Sequence, residues 1–358
     1  MKIQRLRVSD LRCVASLDIV PGERLNLFWG PNGSGKTTIL EALSILASGR
    51  SFRGARGNDL ISRGKHFFAL RADVVKEGVP EAFAIRFSKS AEQTRIELDG
   101  SPISSASVLA RALPLLLVEP ASFGIVEGAP KLRRAMIDRA VFHVEPEFLE
   151  TSRRYGYALS QRNRLLKSKS RPSELLFWSD QLASAGQVID ASRRRCIDHL
   201  NHVLADDRLL SERMGAIQLD YRSGWPAGLS LDEALERNLS HQFSAGATPY
   251  GPHKGELLIK AADEALARFA SRGQVKTVVI SLVTKLARYL AESLGVTPVL
   301  LIDDFAAELD NAMRGLAFTM LAETQSQVFL TSIENPGFSD QAAVTAFHVE
   351  RGTVTSTH

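Results

Sequence analysis

Cysteine is scarce in this sequence. Only Cys13 and Cys196 occur in 358 residues, far apart and in no CxxC pair. Disulfide frameworks, zinc fingers and zinc hooks all need paired or closely spaced cysteines, so the sequence argues against all three. Two isolated thiols are typical of a protein that folds in a reducing compartment.

Long apolar segments are lacking as well. No run approaches the roughly 20 apolar residues that span a bilayer, and the opening MKIQRLRVSDLRCV has no apolar core of a signal peptide. Neither sign of charge dominates, because 44 Lys and Arg face 40 Asp and Glu, for a net charge of +4. We therefore expect a cytoplasmic globular protein whose slight positive excess permits a polyanionic partner without requiring one.

The chain does contain a complete phosphate loop. Residues 30–37 read GPNGSGKT, which fits GxxxxGK[ST], and they follow the apolar stretch Leu25–Trp29. Apolar residues then recur at helical spacing, so the loop joins a strand to a helix. Backbone N–H groups of such a loop surround phosphate, Lys36 supplies a charge to it, and the Thr37 hydroxyl can bind Mg²⁺. The loop residues expected to bind nucleotide are Gly30, Pro31, Asn32, Gly33, Ser34, Gly35, Lys36, Thr37 and Thr38.

Two adjacent carboxylates end a second buried strand. Val299–Ile302 is wholly apolar and is followed by Asp303 and Asp304. A carboxylate at this place holds Mg²⁺, directly or through water, and we predict that role for Asp303. Asp304 and Lys36 are the predicted catalytic residues, because Asp304 could orient or deprotonate the attacking water. A further strand expected at Gln327–Leu330, one helix later, supports a parallel αβ core.

A small polar turn precedes another predicted helix. Ser271-Arg272-Gly273-Gln274 comes directly before the helical stretch that starts at Val275. Ser at a helix N-cap, followed closely by Gly, exposes N–H groups and a hydroxyl that suit an anion. The chain has one evident nucleotide site, so a second phosphate-binding turn makes sense if it serves the nucleotide of another copy. This arrangement resembles the ABC-type ATPases, in which ATP lies between one subunit's phosphate loop and its partner's signature turn.

The segment after the two carboxylates supports this interpretation over a simple capped helix. Ala307-Glu308-Leu309-Asp310 stands where a D-loop would. The residues that this adds to the predicted nucleotide site are Ser271, Arg272, Gly273, Gln274 and Asp310.

Segments along nearly the whole chain resemble one family, RecF, a bacterial recombination-repair ATPase related to the SMC heads. The segments are GPNGSGKTTILEAL, SGRSFRGARGNDLISRG, VEPASFGIVEGAPKLRRAMIDRAVFHVEPEF, YALSQRNRLLK, GPHKGELLI, SRGQVK, LLIDDFAAELD and TQSQVFLTS. Together they are far more specific than the phosphate loop alone.

The resemblance implies an ATPase head that binds ATP and Mg²⁺, forms a homodimer on ATP and binds double-stranded DNA. It also implies work with the mediators RecO and RecR at gaps or stalled forks, where they load the recombinase RecA. Two positions depart from the wider ABC pattern: Arg272 replaces a signature glycine of the transporters, and Asp304 is one methylene shorter than the usual Glu. Both departures favour slow hydrolysis, and the expected enzyme is a weak, DNA-stimulated ATPase.

The expected fold class is α/β, a P-loop ABC-type ATPase head with an antiparallel β subdomain and a helical arm insertion. Short alternating segments between Phe67 and Leu98 predict the antiparallel sheet, and Pro114–Val118 predicts a return strand into the core. We predict that residues 1–129 and 246–358 form the two parts of the head. The arm is predicted at 130–245.

The predicted arm begins with a basic stretch. Residues 131–169 contain ten Lys and Arg against four acids, and such a helical face is either solvated or in contact with DNA phosphates. Two arginines after the phosphate-loop helix, in a region that couples DNA to hydrolysis in SMC-like heads, could also lie in a solvated loop. The candidate DNA-binding residues are Arg53, Arg56, Arg133, Arg134, Arg153, Arg154 and Arg162.

Two other functions are compatible with a phosphate loop. The ATPase subunit of a membrane transporter usually carries a histidine after its last core strand, where this chain reads VFLTSIEN. A P-loop kinase acting on a small substrate would leave the turn at residues 271–274 and the D-loop without a purpose. Membrane-fraction binding would favour the first alternative, and phosphate transfer to a metabolite would favour the second.

Overall fold

The fold is known from a computed structural model. The structure describes residues 1–55, 57–79, 81–169, 171–237, 239–335, 337 and 344–357. The chain forms two compact units: Met1–Ser122 together with Arg272–His358, and Phe123–Ser271.

The elements follow in chain order. The first unit begins with β1 (Lys2–Leu11), β2 (Val14–Ile19), β3 (Leu25–Trp29), α1 (Lys36–Ser48), β4 (Phe67–Val75), β5 (Ala82–Ser90), β6 (Thr94–Leu98), β7 (Ser101–Pro102), α2 (Ala106–Ala112) and β8 (Leu115–Val118). The second unit contains α3 (Gly124–Glu127), α4 (Pro130–Val144), α5 (Phe148–Lys167), α6 (Pro172–Ala205), α7 (Arg208–Met214), β9 (Ile217–Arg222), α8 (Leu231–Glu236), α9 (Leu239–Ala245), β10 (Glu256–Ala261) and β11 (Glu264–Ala265). The first unit resumes with α10 (Arg272–Leu294), β12 (Val299–Ile302), α11 (Asn311–Glu323), β13 (Val328–Ser332), β14 (Val344–Glu350) and β15 (Thr353–Thr357).

Two sheets form the first unit. The antiparallel sheet has the strand order β2-β1-β4-β5-β6-β7, and the core sheet has the order β15-β14-β3-β13-β12-β8. In the core sheet all neighbouring strands are parallel except β14 and β15. The predicted α/β fold with an antiparallel β subdomain is therefore confirmed, and the predicted return strand is β8.

The helix α1 belongs to one hydrophobic core with both sheets. Eleven of its 13 residues are buried, as expected of a helix that is apolar on nearly every side. Its leucines and isoleucines share this core with the inward side chains of β1 and β4 and with Phe28, Phe329 and Phe347 of the core sheet. The Phe28 ring stacks on Phe347 with centroids 4.9 Å apart. Because this core encloses α1, the end of the phosphate loop that joins α1 is held in place.

The parallel strands place the polar segments of the site at one edge. β3, β13, β12 and β8 lie side by side and all run in the same direction. Their carboxyl ends therefore meet at one edge, where ligands of open α/β sheets bind. The phosphate loop follows β3, and Asp303 follows β12, with its N–H bonded to the Val118 carbonyl of β8 at 2.8 Å.

The second unit is helical but also contains a small sheet. Helices α5 and α6 pack on each other, and β9, β10 and β11 form an antiparallel sheet. β10 pairs with β9 from Glu256 opposite Arg222 to Ala261 opposite Ile217. These backbone bonds tie residues 256–261 to the helical unit, although the sequence had assigned everything after 245 to the head. The unit thus differs from the predicted arm at both boundaries, beginning at 123 and ending at 271.

The longest apolar helix of the first unit is α10. It packs on β8 and α11, and its buried residues include Val278, Val279 and Leu282. Even so, no helix within the described ranges combines the length and apolar character that a membrane crossing needs.

Candidate nucleotide-binding site

The phosphate loop is shaped by its glycines. Gly30 follows β3 directly, and a Cβ there would lie 2.1 Å from the Val349 carbonyl oxygen. Gly33 and Gly35 have φ angles of 77° and 113°, in the left-handed region that glycine enters without strain. Gly30 also has a positive φ, of 152°, so all three positions have a backbone conformation that favours glycine, and the close approach adds a second reason at Gly30.

Lys36 is the first residue of α1 and is only 5% exposed. Its Nζ donates hydrogen bonds to the carbonyl oxygens of Gly30 at 2.7 Å and Pro31 at 2.8 Å. Burial lowers the pKa of this ammonium, while the charges of Asp304 and Asp303 oppose the shift. The structure thus brings the predicted lysine into the electrostatic field of both predicted carboxylates.

Asp303 joins the phosphate loop to the neighbouring strands. Its Oδ1 accepts hydrogen bonds from Thr37 Oγ1 at 3.0 Å and from Thr331 Oγ1 at 2.7 Å. Burial raises the pKa of Asp303, and the bonds from the two threonines and the charge of Arg53 act in the opposite direction. A hydroxyl and a carboxylate are oxygen donors that Mg²⁺ prefers, so Thr37 and Asp303 fit the predicted ion.

Asp304, a predicted catalytic residue, has a backbone conformation that is rare for residues other than glycine. Its φ is 52°, which non-glycine residues rarely adopt and which Asp tolerates better than most. The Asp304 N–H donates to Thr331 Oγ1 at 2.8 Å, and the Phe305 N–H donates to the Thr331 carbonyl at 2.8 Å. Thr331 of β13 therefore holds the backbone at Asp304 and Phe305 in place.

The remaining loop residues differ in their surroundings. Asn32 is exposed, and the Thr38 hydroxyl lies 3.7 Å from Cys13 Sγ. Ser34 Oγ is buried and has no hydrogen-bond partner among the described residues. Buried hydroxyls without partners are rare in folded proteins. A phosphate that accepts a hydrogen bond from Ser34 would supply the missing partner, so the loop fits a nucleotide.

The predicted signature turn leads into α10, next to the segment Asp304–Leu309, here called the 304–309 loop. Arg272 forms an ion pair with Glu308 at 2.9 Å, and a Cβ on Gly273 would lie 2.7 Å from the Glu308 carbonyl oxygen. Gln274 is half-buried, and Ser271 is the exposed last residue of the second unit. The contact of this turn with a partner's nucleotide stays a prediction.

Asp310, predicted in the D-loop, is the N-cap of α11. Its Oδ1 accepts a hydrogen bond from the Met313 N–H at 2.8 Å, which satisfies one of the free donors at the start of the helix. This bond explains an aspartate here without a ligand, and its predicted role at the nucleotide remains a prediction.

Two residues at this edge of the sheet were missed by the sequence analysis. Thr331 bonds both carboxylate residues, and a hydroxyl residue near the carboxyl end of the neighbouring strand was the available signal. Lys276 is 2% exposed, and its Nζ donates to the carbonyls of Asp304 and Ala307. A lysine within the apolar stretch of α10 was the signal for that residue.

Arg162, a predicted DNA contact, is fully buried in the second unit. Its guanidinium donates to Ser179 Oγ at 2.9 Å, Thr248 Oγ1 at 3.0 Å and Gln242 Oε1 at 2.8 Å. Burial lowers its pKa to about 10. The structure contradicts the predicted DNA contact, because this arginine holds helices together and cannot reach a phosphate.

Arg133 is a second correction. It is 7% exposed and donates two bonds to the Glu256 carboxylate, at 2.8 Å and 3.0 Å. Arg134 is half-buried and donates to the Gly255 carbonyl at 2.7 Å. Arg133 is thus part of the packing around β10, and a count of basic residues could not separate it from a solvated face.

The other candidate DNA contacts remain exposed where they are described. Arg153 and Arg154 lie on the exposed side of α5, and Arg154 reaches Gln181 Oε1 at 3.5 Å. Arg53 is exposed after α1, and its charge acts on Asp303. Arg56 lies outside the described residues.

Known proteins resemble this chain over its full length. The family model described as RecF/RecN/SMC N terminal domain matches residues 2–356. A protein of Thioalkalivibrio sulfidiphilus named DNA replication and repair protein RecF is 36% identical over 360 residues, covering 99% of each chain. A protein of the same name from Pseudomonas putida is 35% identical and covers 100% of this chain and 99% of its own.

Solved structures show the same fold. The recombination mediator protein RecF with ATP, of the RecFOR pathway, aligns with a TM-score of 0.84 and 23% identity, covering 99% of this chain and 97% of that one. A SmcHead bound to the C-winged helix domain of ScpA aligns with a TM-score of 0.63 and 15% identity, covering 100% and 97%. At these identities the likeness concerns the fold.

Proposed function

The chain belongs to the RecF family within the RecF/RecN/SMC group, and from this membership we propose that it is an ATP-dependent DNA-binding protein of recombinational repair and replication. The observation that carries the proposal is the hydrogen bond between Thr37, after the phosphate-loop lysine, and Asp303, at the end of the adjacent acidic strand. It joins the two halves of the proposed nucleotide site, which lie 266 residues apart in sequence. Membership in this family favours an ATPase over a metabolite kinase.

Each residue at the proposed site has a definite task. Backbone N–H groups of the loop and the Lys36 ammonium would bind the phosphates. Thr37 and Asp303 would hold Mg²⁺, which neutralises phosphate charge when bound. Asp304 would orient the attacking water and accept its proton. Because Asp304 is shorter than Glu and Arg272 replaces a glycine, we expect hydrolysis to be weak, and from the family we expect DNA to stimulate it.

The dimer is the second part of the proposal. Ser271, Arg272, Gly273 and Gln274 would contact the γ-phosphate held by the other subunit, with Asp310 beside it. ATP would then bring two copies together around double-stranded DNA, and hydrolysis would time their release. The exposed Arg53, Arg153 and Arg154 are the candidates for phosphate contacts, since two of the other arginines are buried.

The biological setting follows from the family. The dimer would act in the bacterial cytoplasm at gaps or stalled forks. There it would help the mediators RecO and RecR to load the recombinase.

The test combines duplex-DNA binding with molecular mass, measured with and without ATP at two salt concentrations. We expect ATP to produce a dimer that binds duplex DNA more tightly, with an affinity that falls as salt rises. Lys36→Met should lose both ATP binding and dimerisation, whereas Ser271→Arg should bind ATP but stay monomeric. A wild-type chain that remains monomeric and indifferent to ATP and DNA would refute the proposal.

A further inference from the structure

Lys276 has no part in the nucleotide chemistry proposed above, yet it is one of the most deeply buried side chains described. It lies one turn into α10 and is 2% exposed. Lysine is almost never fully buried unless its ammonium is bonded, because removing the charge from water is costly. Burial lowers the pKa of Lys276 to about 8, against the opposing charges of Glu308, Asp304 and Asp303.

The hydrogen bonds of Lys276 cross from α10 to the 304–309 loop. Nζ donates to the Asp304 carbonyl at 2.5 Å and to the Ala307 carbonyl at 2.8 Å. Both acceptors are main-chain atoms, so the lysine holds the path of the loop whatever the side chains there do. One acceptor belongs to the predicted catalytic residue itself.

The 304–309 loop needs such support because its backbone is strained. Asp304 and Glu308 have φ angles of 52° and 66°, a region that side-chain-bearing residues enter at a cost. Conformations of this kind persist only when the surrounding structure determines them. Within the loop the Ala307 N–H donates to the Asp304 carbonyl at 3.1 Å, so Lys276 reinforces both residues of that turn.

The same end of α10 touches the loop at two more points. Arg272 pairs with Glu308, and Gly273 packs so closely on the Glu308 carbonyl that a side chain would not fit. Three of the first five residues of the helix, Arg272, Gly273 and Lys276, are thus joined to one loop. The helix that carries most of the predicted signature turn and the loop that carries Asp304 form a single block.

We propose that Lys276 is a positioning residue for ATP hydrolysis, which fixes the Asp304 main chain and couples it to the signature end of α10. The proposal rests on the function proposed above. A phosphate bound at the signature turn would then affect the position of the Asp304 carboxylate, because the Lys276 ammonium links α10 to the Asp304 main chain. Lys276 itself touches neither nucleotide nor water in this scheme.

The test compares two replacements of similar length in steady-state titrations with ATP at saturating duplex DNA. Lys276→Met keeps the apolar stem and removes the donors, and we expect kcat to fall between about tenfold and about 100-fold. The KM for ATP should change less than about twofold, because the phosphate loop is untouched. Lys276→Gln keeps two N–H donors on its amide and should retain more of kcat than Lys276→Met.

Thr284→Ala serves as the matched control. Thr284 is buried on the same helix, and its hydroxyl donates to the Ser281 carbonyl of α10, so the substitution reports general weakening of the helix. If Thr284→Ala lowers kcat as much as Lys276→Met does, the positioning role is refuted. A folded Lys276→Met with wild-type kcat refutes it too.

Should Lys276→Met fail to fold, Lys276→Gln decides. The proposal then requires a loss in kcat of at least about threefold at unchanged KM, and a wild-type kcat overturns it. Failure of the wild-type chain to bind ATP or hydrolyse it would refute the proposed function instead, and the two failures are therefore distinguishable.

Discussion

The two loops at the candidate nucleotide site are both closed by a buried lysine, but over very different distances in sequence. Lys36 donates to the carbonyls of Gly30 and Pro31, six and five residues before it. Lys276 donates to two carbonyls of the 304–309 loop, which lie 28 and 31 residues after it. The first loop can therefore form from local sequence, whereas the second needs a helix and a strand end to meet.

The two loops also differ in which residues occupy their left-handed positions. The phosphate loop has Gly33 and Gly35 at its left-handed positions, so its shape costs little. The 304–309 loop places Asp304 and Glu308 in that region and depends on packing to keep them there. We infer that changes in the first loop act mainly on ATP binding, and changes in the second mainly on hydrolysis.

The largest effect should come from Asp304→Asn, which should distinguish the role of the 304–309 loop in hydrolysis from the role of the phosphate loop in ATP binding. Asparagine tolerates the left-handed conformation, so the backbone should be kept while the proton acceptor is lost. We expect kcat to fall about 10²- to 10⁴-fold, the usual contribution of a general base, while ATP binding and ATP-dependent mass stay as in the wild type. Steady-state hydrolysis measures kcat, nucleotide-binding fluorescence measures ATP binding, and molecular mass with and without ATP measures dimerisation. Hydrolysis at the wild-type rate would remove Asp304 from the mechanism.

A pH dependence specific to Lys276 should come next. Burial lowers its pKa from 10.5 to about 8 in the folded chain, so the unfolded chain binds more protons between these values. Unfolding free energy therefore rises with pH across this window, and the penalty for burying the charge is fully present below about pH 8. As pH rises through this window, the unfolding free energy of the wild type should increase relative to that of Lys276→Met, by at most about 3 kcal/mol. Denaturant unfolding near pH 7 and near pH 10, without Mg²⁺, measures it, and a constant difference would contradict the prediction.

Two glycine substitutions should distinguish the loops by mechanism. Gly273→Ala places a Cβ 2.7 Å from the Glu308 carbonyl, and we expect overpacking to cost about 1–3 kcal/mol. A Cβ on Gly33 would meet nothing within 4 Å, but its φ of 77° makes Gly33→Ala strained by about 1–2 kcal/mol. Stability of each variant without ATP gives the two costs. Only Gly273→Ala should also change kcat, and equal kcat losses in both variants would argue against separate roles.

The smallest effect should follow Arg272→Ala. The Arg272 side chain is 66% exposed and its partner Glu308 is 31% exposed, so solvent screens the pair. We expect its loss to change stability by less than about 1 kcal/mol in the absence of ATP. Thermal unfolding beside Lys276→Met provides the comparison. A larger loss in Arg272→Ala than in Lys276→Met would show that the exposed pair, and not the buried lysine, secures the 304–309 loop.

The sequence predicted those parts of the molecule whose signals are local. The strand Leu25–Trp29 and the helix after the phosphate loop have the expected positions, because an apolar run, a glycine loop and helical periodicity lie next to one another. The core strand β12 was found in the same way from four apolar residues followed by acids. The bounds of the second unit differ from those predicted for the arm, since the pairing of β10 with β9 crosses more than 30 residues of chain.

Charge was the least informative signal. Arg133, Arg153 and Arg162 look alike in a basic stretch, yet two are buried and one is exposed. Their fate depends on which residues from other segments offer acceptors, such as Glu256 for Arg133 and Gln242 for Arg162. Composition records the number of charges and not their partners.

By itself, the sequence determined the phosphate loop and the acidic strand end, because each depends on residues that are contiguous in the chain. It also indicated the family, through eight contiguous segments along nearly its whole length. Only the tertiary structure decided that Thr37 meets Asp303, that Thr331 bonds both carboxylate residues, and that Lys276 supports the 304–309 loop. Those contacts join segments up to 266 residues apart. They form because parallel strands bring their carboxyl ends to one edge, where buried polar groups must find partners in one another.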